Sequence, residues 1–150
     1  MSDPVPVKMV IQIRWRDLDA LGHVNNAVYL TYFELARLAY VRAVLGDDAP
    51  RDPRTQLPAD FQFILAEVTC HYRSPAVLRD QLVAMIWVAQ VGRKSFVFEY
   101  RINDEVTGRL VAEGCSTQVW FDYAANESRP VPAAIVARMK DLQGAPIPRA

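Results

Sequence analysis

The chain reads as an α+β fold in which one long central helix is wrapped by a curved antiparallel sheet. A single strong helical segment, 28–45, stands early in the chain, and the later segments down to residue 121 carry strand patterning. The connections between those strands are short and turn-like, Gly92-Arg93 and Asn103-Asp104 to Gly108, so consecutive antiparallel hairpins are the simplest route. With 150 residues, 51% of them apolar, the chain can fill one core without disulfides or structural metal.

Val7 to Trp15 supplies an opening strand. In Val28–Leu45 the polar members Thr31, Glu34, Arg37 and Arg42 share one arc at about 100° per residue, and apolar side chains cover the rest. Such a helix is expected to be enclosed by protein on most sides. Gly46 to about Asp60 holds Pro50, Pro53 and Pro58 with Asp47, Asp48 and Asp52, a composition that resists regular structure. Val68, Cys70 and Tyr72 then alternate with Glu67, Thr69, His71 and Arg73, giving a half-buried strand that stops at Ser74-Pro75. Leu82 to Val91 is apolar on both parities, as in a strand at the centre of a sheet or beneath a subunit contact. Phe96, Phe98, Tyr100 and Ile102 form another alternating strand, and Leu110 to Phe121 a further one. Pro130-Val131-Pro132 opens a short C-terminal helix, where proline suits the first turn. The expected sheet has five strands, the last four in a meander.

Composition excludes several function classes. Lys plus Arg (17) balances Asp plus Glu (17), so neither nucleic acid nor an anionic membrane surface is an expected partner. The start lacks a secretory pattern, and the longest uncharged apolar-rich stretch, Gln81 to Gly92, falls below the roughly 18 residues of a membrane span. No membrane insertion and a cytoplasmic location are expected. Cys70 and Cys115 are isolated, without zinc-site spacing, and read as buried free thiols. No metal or prosthetic cofactor is implied, and neither Gly-x-Ser-x-Gly nor a glycine-rich phosphate loop is present.

Candidate chemistry concentrates between the first strand and the helix, in Arg14-Trp15-Arg16-Asp17-Leu18-Asp19-Ala20-Leu21-Gly22-His23-Val24-Asn25-Asn26-Ala27. A loop that enters a buried helix leads into free backbone N–H groups and the positive end of the helix dipole. Those groups stabilise negative charge developing on a carbonyl oxygen. The simpler alternative is that Asn25 or Asn26 caps the helix while Asp17 and Asp19 pair with Arg14 or Arg16. Two acids, a histidine, two amides and a glycine within ten positions exceed what a solvated loop needs.

The motif Arg14-Trp-x-Asp17-x-Asp19-x-x-Gly22-His23-Val24-Asn25-Asn26-x-x-Tyr29-Leu-x-Tyr32-Phe33-Glu34-x-Ala36-Arg37 resembles the acyl-CoA thioesterases related to 4-hydroxybenzoyl-CoA thioesterase. In wording it is nearest to the bacterial long-chain acyl-CoA thioesterase branch, which shares the His-Val-Asn-Asn string. Weaker landmarks follow at Tyr72-Arg73-Ser74-Pro75, Asp80, Gly92 to Phe96 and Pro130-Val131-Pro132, so the resemblance covers nearly the whole chain.

It implies a hot-dog fold, one domain over residues 1–150, and hydrolysis of acyl-CoA to free acid and CoA. Asp19, the second acid of Asp-x-Asp, falls on the catalytic carboxylate, acting as general base or nucleophile. Asn26 falls on the oxyanion-hole amide through its backbone N–H, where some relatives carry an aromatic residue or histidine. Asp17 matches a less essential position, and His23 reads as loop-shaping.

Another hot-dog branch uses an acid on this helix, although Glu34 with Arg37 three residues on reads more simply as an ion pair. Arg73, Arg93 and Lys94 sit beside turns where CoA phosphates can be clamped, and Ser95 can bond the pantetheine amide; solvent-facing edge charge is the alternative. Val83, Met85 and Trp87 need cover, which predicts a homo-oligomer, dimer or tetramer, and the resemblance places active sites at the subunit contact. Two other functions fit the same groove: hydrolysis of acyl groups carried on an acyl carrier protein, and non-catalytic acyl-thioester binding. A hydratase is disfavoured, since Asp-x-Asn-Pro-x-His is absent.

Overall fold

The computed structural model describes residues 3–55 and 57–150. Strand β1 (Val7–Ile11) leads through a 3-10 turn (Trp15–Asp17) to helix α1 (Val28–Leu45). Then follow β2 (Phe63–Tyr72), β3 (Leu82–Val91), β4 (Ser95–Asp104), β5 (Leu110–Asp122), the two-residue β6 (Glu127–Ser128) and helix α2 (Ala133–Gln143). The opening strand is shorter than its sequence suggests, because Trp15 belongs to the turn.

All strand pairs are antiparallel, in the order β1-β3-β4-β5-β2, with β6 on β5. β3, β4 and β5 form the expected meander. β2 does not join it beside β3: it crosses to the far edge and pairs with β5, Phe63 opposite Trp120 and Tyr72 opposite Ala112. The intervening segment Arg73–Gln81 is no hairpin loop, and it carries the chain across the sheet.

α1 lies against the sheet through Tyr29, Tyr32, Phe33, Ala36, Arg37, Tyr40 and Val41, the spacing of a single helical face. Phe33 stacks on Tyr100 at 4.2 Å, and Tyr40 meets Phe98 edge-on at 4.9 Å. Packing there is close enough that a Cβ on Gly114 of β5 would collide with the Thr69 carbonyl oxygen and stand 3.1 Å from the Phe33 ring. The helix is nonetheless less enclosed than its composition suggests. Leu30 and Leu35 stay 38% and 45% exposed, while Arg37 turns into the core and donates to the Tyr100 hydroxyl at 3.1 Å. No Glu34–Arg37 ion pair forms among the described residues.

On β3, Leu82, Ala84, Ile86 and Val88 are buried, and Val83, Met85, Trp87 and Ala89 on the opposite parity are half-buried. Part of that second face borders a hollow that Met85, Trp87 and Arg101 share with Asp3, Pro4 and Pro6. Cys70 and Cys115 are half-buried free thiols rather than core residues. No described helix is long and apolar enough to cross a membrane.

Candidate active site

The segment between β1 and α1 is held by one buried acid. Asp17 is 1% exposed and accepts from the Arg14 backbone N–H (2.9 Å), the Arg14 Nε and Nη2 (3.1 and 2.9 Å) and the Tyr32 hydroxyl (3.0 Å). Burial pushes this carboxyl up, but the Arg14 side chain and backbone and the Tyr32 hydroxyl outweigh it and hold it below the ordinary value. Asp17 thus locks the loop to the helix and is unavailable for chemistry. Its pairing with Arg14 is the simpler of the two roles its sequence allowed.

Asp19 has the opposite fate. Its Oδ1 accepts from the backbone N–H of Leu21 (2.8 Å) and of His23 (3.4 Å), which orients the carboxylate, while Oδ2 has no partner among the described residues. The turn that allows this runs through Gly22 at φ +77°, a conformation that disfavours side chains. Among the described residues neither Arg14 nor Arg16 pairs with Asp19.

At the helix entrance, successive backbone donors can be accounted for one at a time. Val24 donates to the Ala76 carbonyl (2.8 Å) and Asn25 to the Asp17 carbonyl (2.8 Å). Ala27 donates to the Asn25 side-chain Oδ1 (2.9 Å) and Val28 to the Asn25 carbonyl (3.0 Å). Only Asn26 between them has a backbone N–H without an acceptor among the described residues. Asn25 therefore satisfies the Ala27 and Val28 amides through its side-chain and backbone oxygens, and the amide between it and them has no acceptor among the described residues.

Asp19, His23, Asn26, Tyr29, Tyr72 and Arg73 line one open cleft of about 350 Å³. Tyr29 and Tyr72 come from sequence positions not singled out for the site. Tyr29 is 3% exposed, and its phenol is pushed up to about 12 by burial, so it stays neutral. Tyr72 meets it edge-on at 5.3 Å and donates to the Asn26 carbonyl at 2.8 Å. Both lie inside the motif landmarks, but only the crossing of β2 to the β5 edge makes them neighbours. Arg73 faces the cleft with Glu113 3.5 Å from its Nε.

Arg93, Lys94 and Ser95 are not brought to this cleft within the chain. They sit at the β3–β4 turn, at the other end of strands roughly 30 Å long. Lys94 Nζ reaches the Ser128 hydroxyl at 3.3 Å, and the Arg93 carbonyl accepts from the Val131 N–H at 2.9 Å. Another hollow, of about 330 Å³, lies between α1, the segment before β2 and the start of β2, lined by Glu34, Leu35, Arg37, Leu38, Leu57 and Phe63. Among the described residues no cluster of His, Cys, Asp and Glu is arranged to hold a metal ion.

A family model described as the thioesterase-like superfamily matches residues 13–139, which takes in the cleft, α1 and the whole sheet beyond β1. The chain belongs to the thioesterase-like superfamily. Its sheet and helix have the hot-dog architecture of that family, and it is a thioesterase by membership. It is 26% identical over 132 residues to the long-chain acyl-CoA thioesterase FadM of Escherichia coli K12, covering 88% of this chain and 96% of that protein. It is 28% identical over 131 residues to the acyl-CoA thioester hydrolase YbgC of Escherichia coli O6:H1, covering 87% and 92%. Among solved structures, a thioesterase from Thermus thermophilus complexed with coenzyme A and zinc superposes with a TM-score of 0.80 at 31% identity, over 98% of this chain and 100% of that one.

Proposed function

We propose that this protein hydrolyses acyl-CoA thioesters to the free acid and CoA, at the cleft where Asp19 and the Asn26 amide meet. The observation that carries the reading is the unused Asn26 N–H between four bonded neighbours, in the same cleft as a carboxylate with one oxygen fixed and one open. A thioester carbonyl placed there finds a donor for its oxygen as negative charge develops. Asp19 either activates a water or attacks the carbonyl itself. The names of the FadM and YbgC relatives, and the CoA held by the Thermus thermophilus thioesterase, support CoA as the carrier. Residues 1–150 act as one catalytic domain in this reading.

The active unit is a homo-oligomer, a dimer or tetramer, located in the cytoplasm. β2 supports assembly: it is an edge strand whose outer side pairs with no other strand among the described residues, and Ile64 and Leu65 on it are 42% and 41% exposed. Within one chain Arg73 is the basic side chain at the cleft, so Arg93, Lys94 and Ser95 would serve CoA from a second copy.

The test is turnover on acyl-CoAs of graded length, read by thiol release, for the native protein and Asp19→Asn. The substitution is expected to lower kcat by a factor on the order of 10² to 10⁴ with the fold intact by circular dichroism. A loss under about threefold would remove Asp19 from the mechanism.

A further inference from the structure

The Asn26 amide is useful only if the peptides on either side of it keep it pointed into the cleft. Three of the anchors for this turn are local or come from the neighbouring loops: the Asp17 carbonyl, the Ala76 carbonyl and the Asn25 side chain. The fourth is the Tyr72 hydroxyl, which reaches the Asn26 carbonyl at 2.8 Å from a residue 46 positions away.

Together with the Asn25 side chain on the Ala27 N–H, it grips the peptide between Asn26 and Ala27 at both its oxygen and its nitrogen. The base of Tyr72 is itself fixed. It pairs with Ala112 in the sheet, and the Arg73 and Ser74 N–H groups just beyond it both donate to the Val111 carbonyl, at 2.8 and 3.1 Å. Its ring is braced by Tyr29. Nevertheless Tyr72 remains 50% exposed, more than a side chain serving the core would be.

We propose that Tyr72 is a positioning residue for thioester hydrolysis, holding the Asn26–Ala27 peptide so that the Asn26 N–H stays aimed at the reacting carbonyl oxygen. The proposal rests on the reading of Asn26 as the oxyanion donor. In this role Tyr72 acts through the peptide that its hydroxyl holds. Its hydroxyl restricts the freedom of a peptide at the start of α1, and a donor restricted in this way reorganises least when charge appears on its acceptor. Removal of the hydroxyl leaves the exposed carbonyl to water, so the cost falls on aim rather than on folding.

Tyr72→Phe keeps the ring against Tyr29 and deletes only the hydroxyl. Expected are a kcat lowered roughly three- to tenfold and a KM within about twofold of native, since the lost effect acts on the transition state. Backbone ¹⁵N relaxation gives a readout independent of activity. The order parameters of Asn26 and Ala27 should fall from the rigid range near about 0.85 toward about 0.6, while those of α1 beyond Leu30 stay put. An unchanged kcat, or unchanged order parameters at Asn26 and Ala27, overturns the proposal. So does an equal loss across kcat, thermal midpoint and all of α1, which would make Tyr72 a structural residue. Asp19→Asn run in parallel separates the two levels: if it abolishes turnover while Tyr72→Phe is native-like, the catalytic reading stands and only the role of Tyr72 fails. If Asp19→Asn is native-like, the catalytic reading fails and the relaxation data alone decide Tyr72.

Discussion

Asp17→Asn is a sharp test of how the candidate site is held, because the native carboxylate accepts four bonds and donates none. The substitution preserves volume but replaces one acceptor oxygen with a donor NH₂, at a position 1% exposed and surrounded by the donors Arg14 N, Nε and Nη2 and the Tyr32 hydroxyl. The Arg14 side chain is 56% exposed, so its share of the ion pair is screened and counts for little. The backbone N–H of Arg14 and the Tyr32 hydroxyl are the costly partners, and leaving one of them facing another donor costs about 2–3 kcal/mol. Urea denaturation at neutral pH should show that loss.

The sign with pH follows from the carboxyl lying below its ordinary value of 3.8 in the fold. Its stabilisation is complete above 3.8 and disappears as pH drops through the still lower folded value. The native and Asp17→Asn curves should therefore run parallel at neutral pH and converge in acid below about pH 4. A difference under about 0.5 kcal/mol at pH 7, or one that persists undiminished in acid, would refute the role assigned to this carboxylate.

Two further outcomes are expected. Gln143, 1% exposed at the end of α2, accepts from the Val88 N–H (2.7 Å) and the Tyr40 hydroxyl (2.7 Å) and donates to the Val88 carbonyl (3.1 Å), closing the register shift in β3; Gln143→Ala should cost about 3 kcal/mol or more and lower the thermal midpoint without affecting KM. If a second copy brings the β3–β4 turn to the cleft, Arg93→Ala with Lys94→Ala should raise KM for acyl-CoA several-fold and leave an acyl-pantetheine thioester, which lacks the nucleotide phosphates, unchanged; equal KM effects on both substrates would assign these residues to folding.

Much of the fold was legible because local signals agreed with one another. α1 runs from Val28 to Leu45 as its apolar pattern predicts, β3 spans Leu82–Val91, and the turns at Gly92-Arg93 and after Asp104 join neighbouring strands. The destination of β2 was not legible: alternation in Val68–Tyr72 fixes which residues share a face, yet says nothing about which strand lies alongside. Arg37 was misread for a related reason. A helical projection places it with Glu34 and Arg42, but the projection is blind to a tyrosine hydroxyl that another element supplies in the core. The cleft motif could be placed on a loop before a helix, and Asp17, Asp19 and Asn26 with it. That Tyr72 joins Asp19 and Asn26 in lining the cleft follows only from the strand crossing.

Asp17 and Asp19 show why residue type alone could not assign the chemistry. They lie two positions apart in the same loop, and an acid at either position could in principle serve a carbonyl. The 3-10 turn directs Asp17 inward, where Arg14 and Tyr32 use up its lone pairs. One turn later, Gly22 reverses the chain and folds the Leu21 and His23 amides back onto a single oxygen of Asp19, leaving the other oxygen open to the cleft. The Asn25 N–H then ties to the Asp17 backbone carbonyl, so the residue whose side chain is fully engaged also fixes the approach to the helix, where the next amide has no acceptor among the described residues. Rigidity and reactivity are thus divided between two like residues by backbone direction. A carboxylate with both oxygens taken up by the fold, as those of Asp17 are, has none left to meet a substrate, whereas Asp19 is held by one oxygen alone.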